Sequence, residues 1–220
     1  MSKIQRAILF LMVGYLLAVR VGLAAVFNHP GTYRHPETGI AFPASMAALE
    51  KIEQQGAFEY DKASPGQNVS VGYRSPEVIA TVYIFTRGLK CVPSDLGSPT
   101  MKLHFRDACN GVFQAEAYSN VKMISEDIVP WGGKTGIKAL HAAISLVKDG
   151  GDCLSHVYLA GFRNHFIKVR YTYKAAEKRS AEKVQKVFLG ELALLLEVAA
   201  GAPPKLAIAA LNGDAELVSE

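Results

Sequence analysis

Lys168 and Arg170 stand two residues apart in the segment Phe166-Ile167-Lys168-Val169-Arg170-Tyr171-Thr172-Tyr173, which alternates like a β-strand. Residues two apart on a strand share a face, so both cations project on one side with Phe166 and Thr172. Two adjacent cations suit an anion or a carboxylate. The plainer alternative is a cation pair kept soluble by neighbouring acids. If the C-terminal helix covers that face, the pair must find acidic partners or lie at the rim.

A second fragment with chemical potential is Trp131-Gly132-Gly133-Lys134-Thr135-Gly136. Gly-Lys-Thr ends a phosphate-binding loop, but that motif needs a glycine where Ile128 stands and a helix where a strand follows. The segment therefore reads as a glycine turn leading into a strand. Trp131 on this turn is either an exposed anchor for a ligand or partner or a packed side chain.

The histidines at 104, 141, 156 and 165 have no metal-ligand spacing, so neither a metal site nor a cofactor is expected. His156 shares a strand face with Leu154 and Tyr158, and His165 with Ile167 and Val169. Cys153 lies three residues before His156, which puts the two on opposite faces and prevents a local nucleophile–base pair. His141, on a neighbouring strand, is the remaining base that could reach Cys153. The sequence contains no Gly-x-Ser-x-Gly elbow, and no catalytic residue is assigned. Cys91 and Cys109 flank a loop containing Pro93, Ser94, Gly97, Ser98 and Pro99. Together with Cys153 they leave two readings open: one Cys91–Cys109 disulfide with a free thiol, or three buried thiols.

The elements that must position these residues follow from periodicity. Strands are expected at 32–35, 40–42, 69–74, 78–85, 137–148, 153–161 and 164–174, the last three joined by hairpin-like turns. Residues 46–55 have a short helical pattern. Ser98 and Pro99 cap and start an amphipathic helix of about 20 residues. A second helix spans 175–200, with Val184, Val187, Phe188, Leu192, Leu195 and Ala199 on its inner stripe. Consecutive antiparallel strands with one interrupting and one terminal helix predict an α+β fold, an antiparallel sheet covered by helices.

Ahead of this domain, Lys3 and Arg6 precede an uncharged run at 7–19 and the small residues Gly22 and Ala24. That is the layout of a secretory signal peptide cut after Ala24. The competing reading is an uncleaved anchor over residues 7–27, with Arg20 near its far end. The domain then covers 25–202 and a tail 203–220. The leader holds Lys3, Arg6 and Arg20 and no acid. Of 24 basic and 20 acidic residues, the remainder therefore keeps 21 and 20, a net charge of +1. Such a balance lacks the basic footprint of nucleic-acid binding.

The order of elements resembles the α/β/α sandwich of the PsbP-like and DcrB-like exported proteins, particularly bacterial envelope proteins of unknown function. The resemblance is carried by residues 39–43 (GIAFP), 69–74 (VSVGYR), 80–85 (ATVYIF), 155–159 (SHVYL), 166–173 and the terminal helix. It implies this fold and an extracytoplasmic compartment, periplasmic or secreted. It implies no catalytic residue set and no photosystem partner. The expectation is an exported, non-enzymatic binding or accessory protein of the cell envelope, whose partner is an envelope protein or a small ligand. Trp131, Lys168 and Arg170 are its candidate surface. The alternatives are a secreted hydrolase with a site built from distant residues, and a membrane-tethered interaction protein.

Overall fold

A computed structural model describes residues 25–27, 31–51, 57–59, 68–132 and 136–201. The expected signal peptide at 1–24 and the expected tail at 203–220 lie outside the described residues, as does the alternative anchor apart from its last three residues, 25–27, which form a strand. The strands are β1 (Ala25–Phe27), β2 (Tyr33–Arg34), β3 (Ala41–Phe42), β4 (Ser45–Met46), β5 (Leu49–Lys51), β6 (Ala57–Glu59), β7 (Asn68–Arg74), β8 (Val78–Phe85), β9 (Tyr118–Pro130), β10 (Lys138–Lys148), β11 (Gly151–Phe162) and β12 (His165–Lys174). Helix α1 spans Pro99–Phe113, and α2 spans Lys178–Ala199 behind a 3-10 turn at Ala175–Glu177.

The main sheet runs β1-β6-β7-β8-β12-β11-β10-β9, with β5 also pairing β7 and β4 pairing β5. Every pairing in it is antiparallel. Two tight turns set the register of its centre. Asp149-Gly150 and Arg163-Asn164 both have positive φ at each central position, the requirement of a type I′ hairpin whose twist matches that of the strands. Strand β12 sits between β11 and β8, with Phe166 opposite Phe85 and Tyr173 opposite Val78.

Because side chains alternate, the sheet has two apolar faces, each covered by one helix. Met101, Phe105, Cys109 and Val112 of α1 pack with Ala142, Ile144, Val157, Leu159 and Phe166. Ser98 starts α1 by accepting the Met101 N–H at 3.2 Å, with Pro99 in its first turn. On the other face Phe188, Leu189, Leu192 and Leu196 of α2 meet Val71, Tyr73, Val169 and Tyr171, with Ile40 and Phe42 in the same cluster. Hydrogen bonds fix α2 at two heights. Tyr171 donates to the Ala181 carbonyl at 3.0 Å, and Gln185 donates to Tyr158 Oη at 2.9 Å. Among the described residues, no helix is long and apolar enough to cross a membrane.

The antiparallel sheet covered by helices is as the sequence predicts, with four differences. Residues 45–51 form the hairpin β4–β5 rather than a helix, with Ala47 and Ala48 both at positive φ; residues 52–56 lie outside the described ones. Helix α1 has 15 residues, not about 20, because Gln114 caps it and the chain turns into β9. Strand β9 itself is absent from the sequence-based expectation. The inner stripe of α2 is rotated: Val187 is 52% exposed, and Ala181, Gln185, Leu189 and Ala193 face inward.

Candidate functional site

Strand β12 delivers Lys168 and Arg170 to the face covered by α1, not the one covered by α2. Tyr83 and Phe85 come from the neighbouring β8, and Val157 comes from β11 opposite Arg170. Helix α1 roofs this floor with His104, Asp107, Ala108, Gly111 and Val112. Between them lies a cavity of about 170 Å³, with Arg87 at its edge.

The cations are held by aromatic faces. Lys168 Nζ lies 3.8 Å above the Tyr83 ring centre, and the Arg170 guanidinium lies 5.0 Å from that of Tyr118. These are cation–π contacts, which favour a cation without neutralising it. Arg170 Nε donates to Ser155 Oγ at 3.4 Å, while its buried Nη2 has no hydrogen-bond partner among the described residues. Nor does any carboxylate of the described residues form an ion pair with either cation. Burial pushes the Lys168 ammonium down to about 8, helped by the positive charges of Arg170 and Arg87. His104, whose ring lies 4.5 Å from that of Phe166, is also lowered, first by burial and then by Arg87, with Asp107 opposing. Three cations and one carboxylate line the cavity, so its field attracts anions.

The opposite face carries a hydrogen-bonded chain that sequence spacing did not reveal. Asp127 Oδ1 on β9 is 2.7 Å from His141 Nδ1, His141 Nε2 is 2.9 Å from His156 Nδ1, and His156 Nε2 is 3.2 Å from Tyr173 Oη. Tyr173 also points its hydroxyl at Glu182 of α2, at 3.5 Å. The Asp127 carboxylate only accepts, which puts a proton on His141 Nδ1. With Tyr173 donating its hydroxyl proton to Glu182, Tyr173 Oη can accept from His156 Nε2–H, while His156 Nδ1 faces His141 Nε2. Burial drives the His156 imidazole down to about 4, reinforced by His141 and Lys178 and opposed by Asp127.

The remaining candidates fall elsewhere. Trp131 is fully buried in the cluster beneath α2, so it is no surface anchor for a ligand or partner. Its turn serves packing. Trp131 N–H donates to the Ile137 carbonyl at 2.6 Å, and Gly132, at φ +71°, lies against Gly190 and Ala193 of α2. Residues 133–135 are outside the described ones. Cys153 joins the cluster beneath α1, whereas His156 lies on the α2 face and His141 bonds to it, so no Cys/His pair forms. The Cys91–Cys109 disulfide is not formed either. All three thiols are free: Cys109 and Cys153 are buried, and Cys91 is exposed on the loop before α1. The expectation of three buried thiols therefore also fails at Cys91.

No protein-family model and no curated protein matches this chain. Solved structures with a similar fold include the cyanobacterial PsbP protein CyanoP from Synechocystis, at 13% identity and a TM-score of 0.44, covering 76% of this chain and 95% of that one. A protein of unknown function from Pseudomonas aeruginosa, described as a putative regulator, is 12% identical with a TM-score of 0.34, over 63% of this chain and 93% of its own. The Ran-binding protein Mog1p from Saccharomyces cerevisiae is 12% identical with a TM-score of 0.33, over 72% and 95%. These distant likenesses concern the fold and transfer no function.

Proposed function

We propose that this protein is an exported, non-enzymatic binding module of the cell envelope, whose ligand is a small anion held by Lys168 and Arg170 between α1 and the sheet. The compartment rests on the signal-peptide pattern of residues 1–24 and on the resemblance to exported proteins. The binding role rests on one observation: two neighbouring cations line one cavity with no carboxylate of the described residues paired to either. Desolvated charges without a counter-charge are unfavourable by several kcal/mol. An anion entering the cavity supplies that counter-charge and a partner for Arg170 Nη2.

Thermal unfolding with benzoate, acetate, phosphate or chloride at matched ionic strength tests this reading. A ligand that binds only the folded state stabilises it by about 2.7 kcal/mol at a hundredfold excess over Kd. At least one of the three anions should raise the melting temperature by several degrees over chloride. Arg170→Gln should abolish the response. Equal melting temperatures in all four salts would refute the reading.

A further inference from the structure

The cavity also restricts which anion it accepts, an inference that rests on the anion-binding reading above. Its charged groups are unevenly placed. Lys168 and Arg170 lie on the floor beside Phe85 and Val157, Arg87 also lines the cavity, and α1 contributes His104 and Asp107 next to Ala108 and Val112. A phosphate dianion would bring a second negative charge into a site that already holds the Asp107 carboxylate, and its oxygens turned toward Phe85, Ala108, Val112 or Val157 would lose water without gaining donors. A carboxylate concentrates its oxygens at one end, where the fork of Arg170 and the point charge of Lys168 can both meet them.

Size and shape restrict the remainder of the molecule. The cavity holds about 170 Å³; one of about 150 Å³ lined by apolar side chains takes up benzene. Tyr83 and Phe85 place aromatic rings beside the cations, with Lys168 Nζ over one face of Tyr83. Gly111 lies within α1, where glycine is among the poorest helix formers. A Cβ there would meet nothing within 4 Å. The helix surface at this point is bare although nothing in the fold requires it to be, and it borders the cavity.

We propose that the ligand is a small monocarboxylate with a flat apolar body, of about benzoate size. Its carboxylate pairs with Arg170 and Lys168, and its body lies against Tyr83 and the bare stretch of α1 at Gly111. Burial of the ring separates it from acetate, and the Asp107 carboxylate together with the apolar lining separates it from phosphate. A larger side chain at position 111 competes for the same space without meeting any other atom at its Cβ.

Calorimetric titration of the purified protein with sodium benzoate, sodium acetate and inorganic phosphate tests the proposal, alongside Gly111→Leu and Arg170→Gln. Benzoate should bind roughly tenfold or more tightly than acetate, because only benzoate buries an apolar ring; phosphate should bind more weakly than benzoate. Gly111→Leu should weaken benzoate binding about tenfold or more while melting no lower than the wild type, and Arg170→Gln should remove binding. Phosphate or acetate binding with benzoate silent would overturn this inference and leave the anion reading standing. Silence toward all three would overturn both. Unchanged benzoate affinity in Gly111→Leu would overturn the placement of the ring. The wild-type comparison of the three salts does not depend on the folding of either variant.

Discussion

His141 Nε2 and His156 Nδ1 lie 2.9 Å apart, with the two rings only 6° from parallel, in a chain that runs from Asp127 on β9 to Tyr173 on β12. Burial of this chain disfavours a charged His156. The pH dependence of stability follows. His156 is lowered from 6.5 to about 4 in the fold, so between these values the unfolded chain binds more protons than the native one. Stability from this group is complete above about pH 6.5 and is lost as pH falls toward 4, by about 3 kcal/mol in total. Urea unfolding measured from pH 7 to 4 should show this loss. His156→Gln, which retains an amide donor and acceptor but cannot titrate, should flatten the profile. An equally steep profile in His156→Gln would contradict the assignment.

Lys168 has the opposite balance of stability and binding. Its ammonium is depressed from 10.5 to about 8, so the charged form is disfavoured in the free protein. The unfolded state binds more protons between pH 8 and 10.5, and stability from this group rises with pH across that window; below pH 8 the penalty is fully present. Lys168→Met should therefore stabilise the ligand-free protein at pH 7 by about 1–3 kcal/mol. That advantage should vanish near pH 10.5, and the response to anions should be lost. A less stable Lys168→Met at pH 7 would mean that the lysine has a partner in the fold.

Gly132 tests the packing role of the turn after Trp131. An added Cβ would come within 2.7 Å of Ala193 Cβ and 2.8 Å of Gly190 Cα, at a backbone φ of +71°. Gly132→Ala should destabilise by about 2–4 kcal/mol, read from urea midpoints. Gly111→Ala, at an open helical position, should instead stabilise by up to about 1 kcal/mol.

The thiols give a chemical readout. Cys91 is exposed, whereas burial pushes the Cys109 thiol up to about 11 and raises that of Cys153. Thiolate, not thiol, is the reactive form. One thiol per native chain should label rapidly with iodoacetamide and map to Cys91, and all three should label in denaturant. A single reactive thiol in denaturant without reductant would reveal a disulfide.

The central strands were legible because β11 alternates over residues 153–157 and β12 over 167–173, and both end in turns that fix register. That alternation also placed Lys168 with Arg170 and separated Cys153 from His156. Strand β9 was not legible, since two register shifts against β10 break its period and nearly every residue in it is exposed. Its apolar residues Val121, Met123, Ile124, Ile128 and Val129 fall out of phase with one another, so the bulged edge strand has no period-two signal to detect. The His141–His156 contact depends on register. The turn at Asp149-Gly150 pairs His141 with Tyr158 and Ala143 with His156, making the imidazoles diagonal neighbours on one face. No spacing rule for metals or nucleophiles contains that relation. Which helix covers Lys168 and Arg170 was equally hidden, because the handedness of the connections, not the composition of β12, assigns α1 to that face.

The most direct measurement is the titration of Lys168 itself, followed by NMR of the protein carrying ¹³C-labelled lysine side chains, with Lys168→Met assigning the resonance. The account predicts a midpoint near 8 in the free protein and an upward shift when benzoate fills the cavity, because a bound carboxylate favours the charged ammonium. A midpoint near 10.5 in the free protein, unmoved by benzoate, acetate or phosphate, would contradict it.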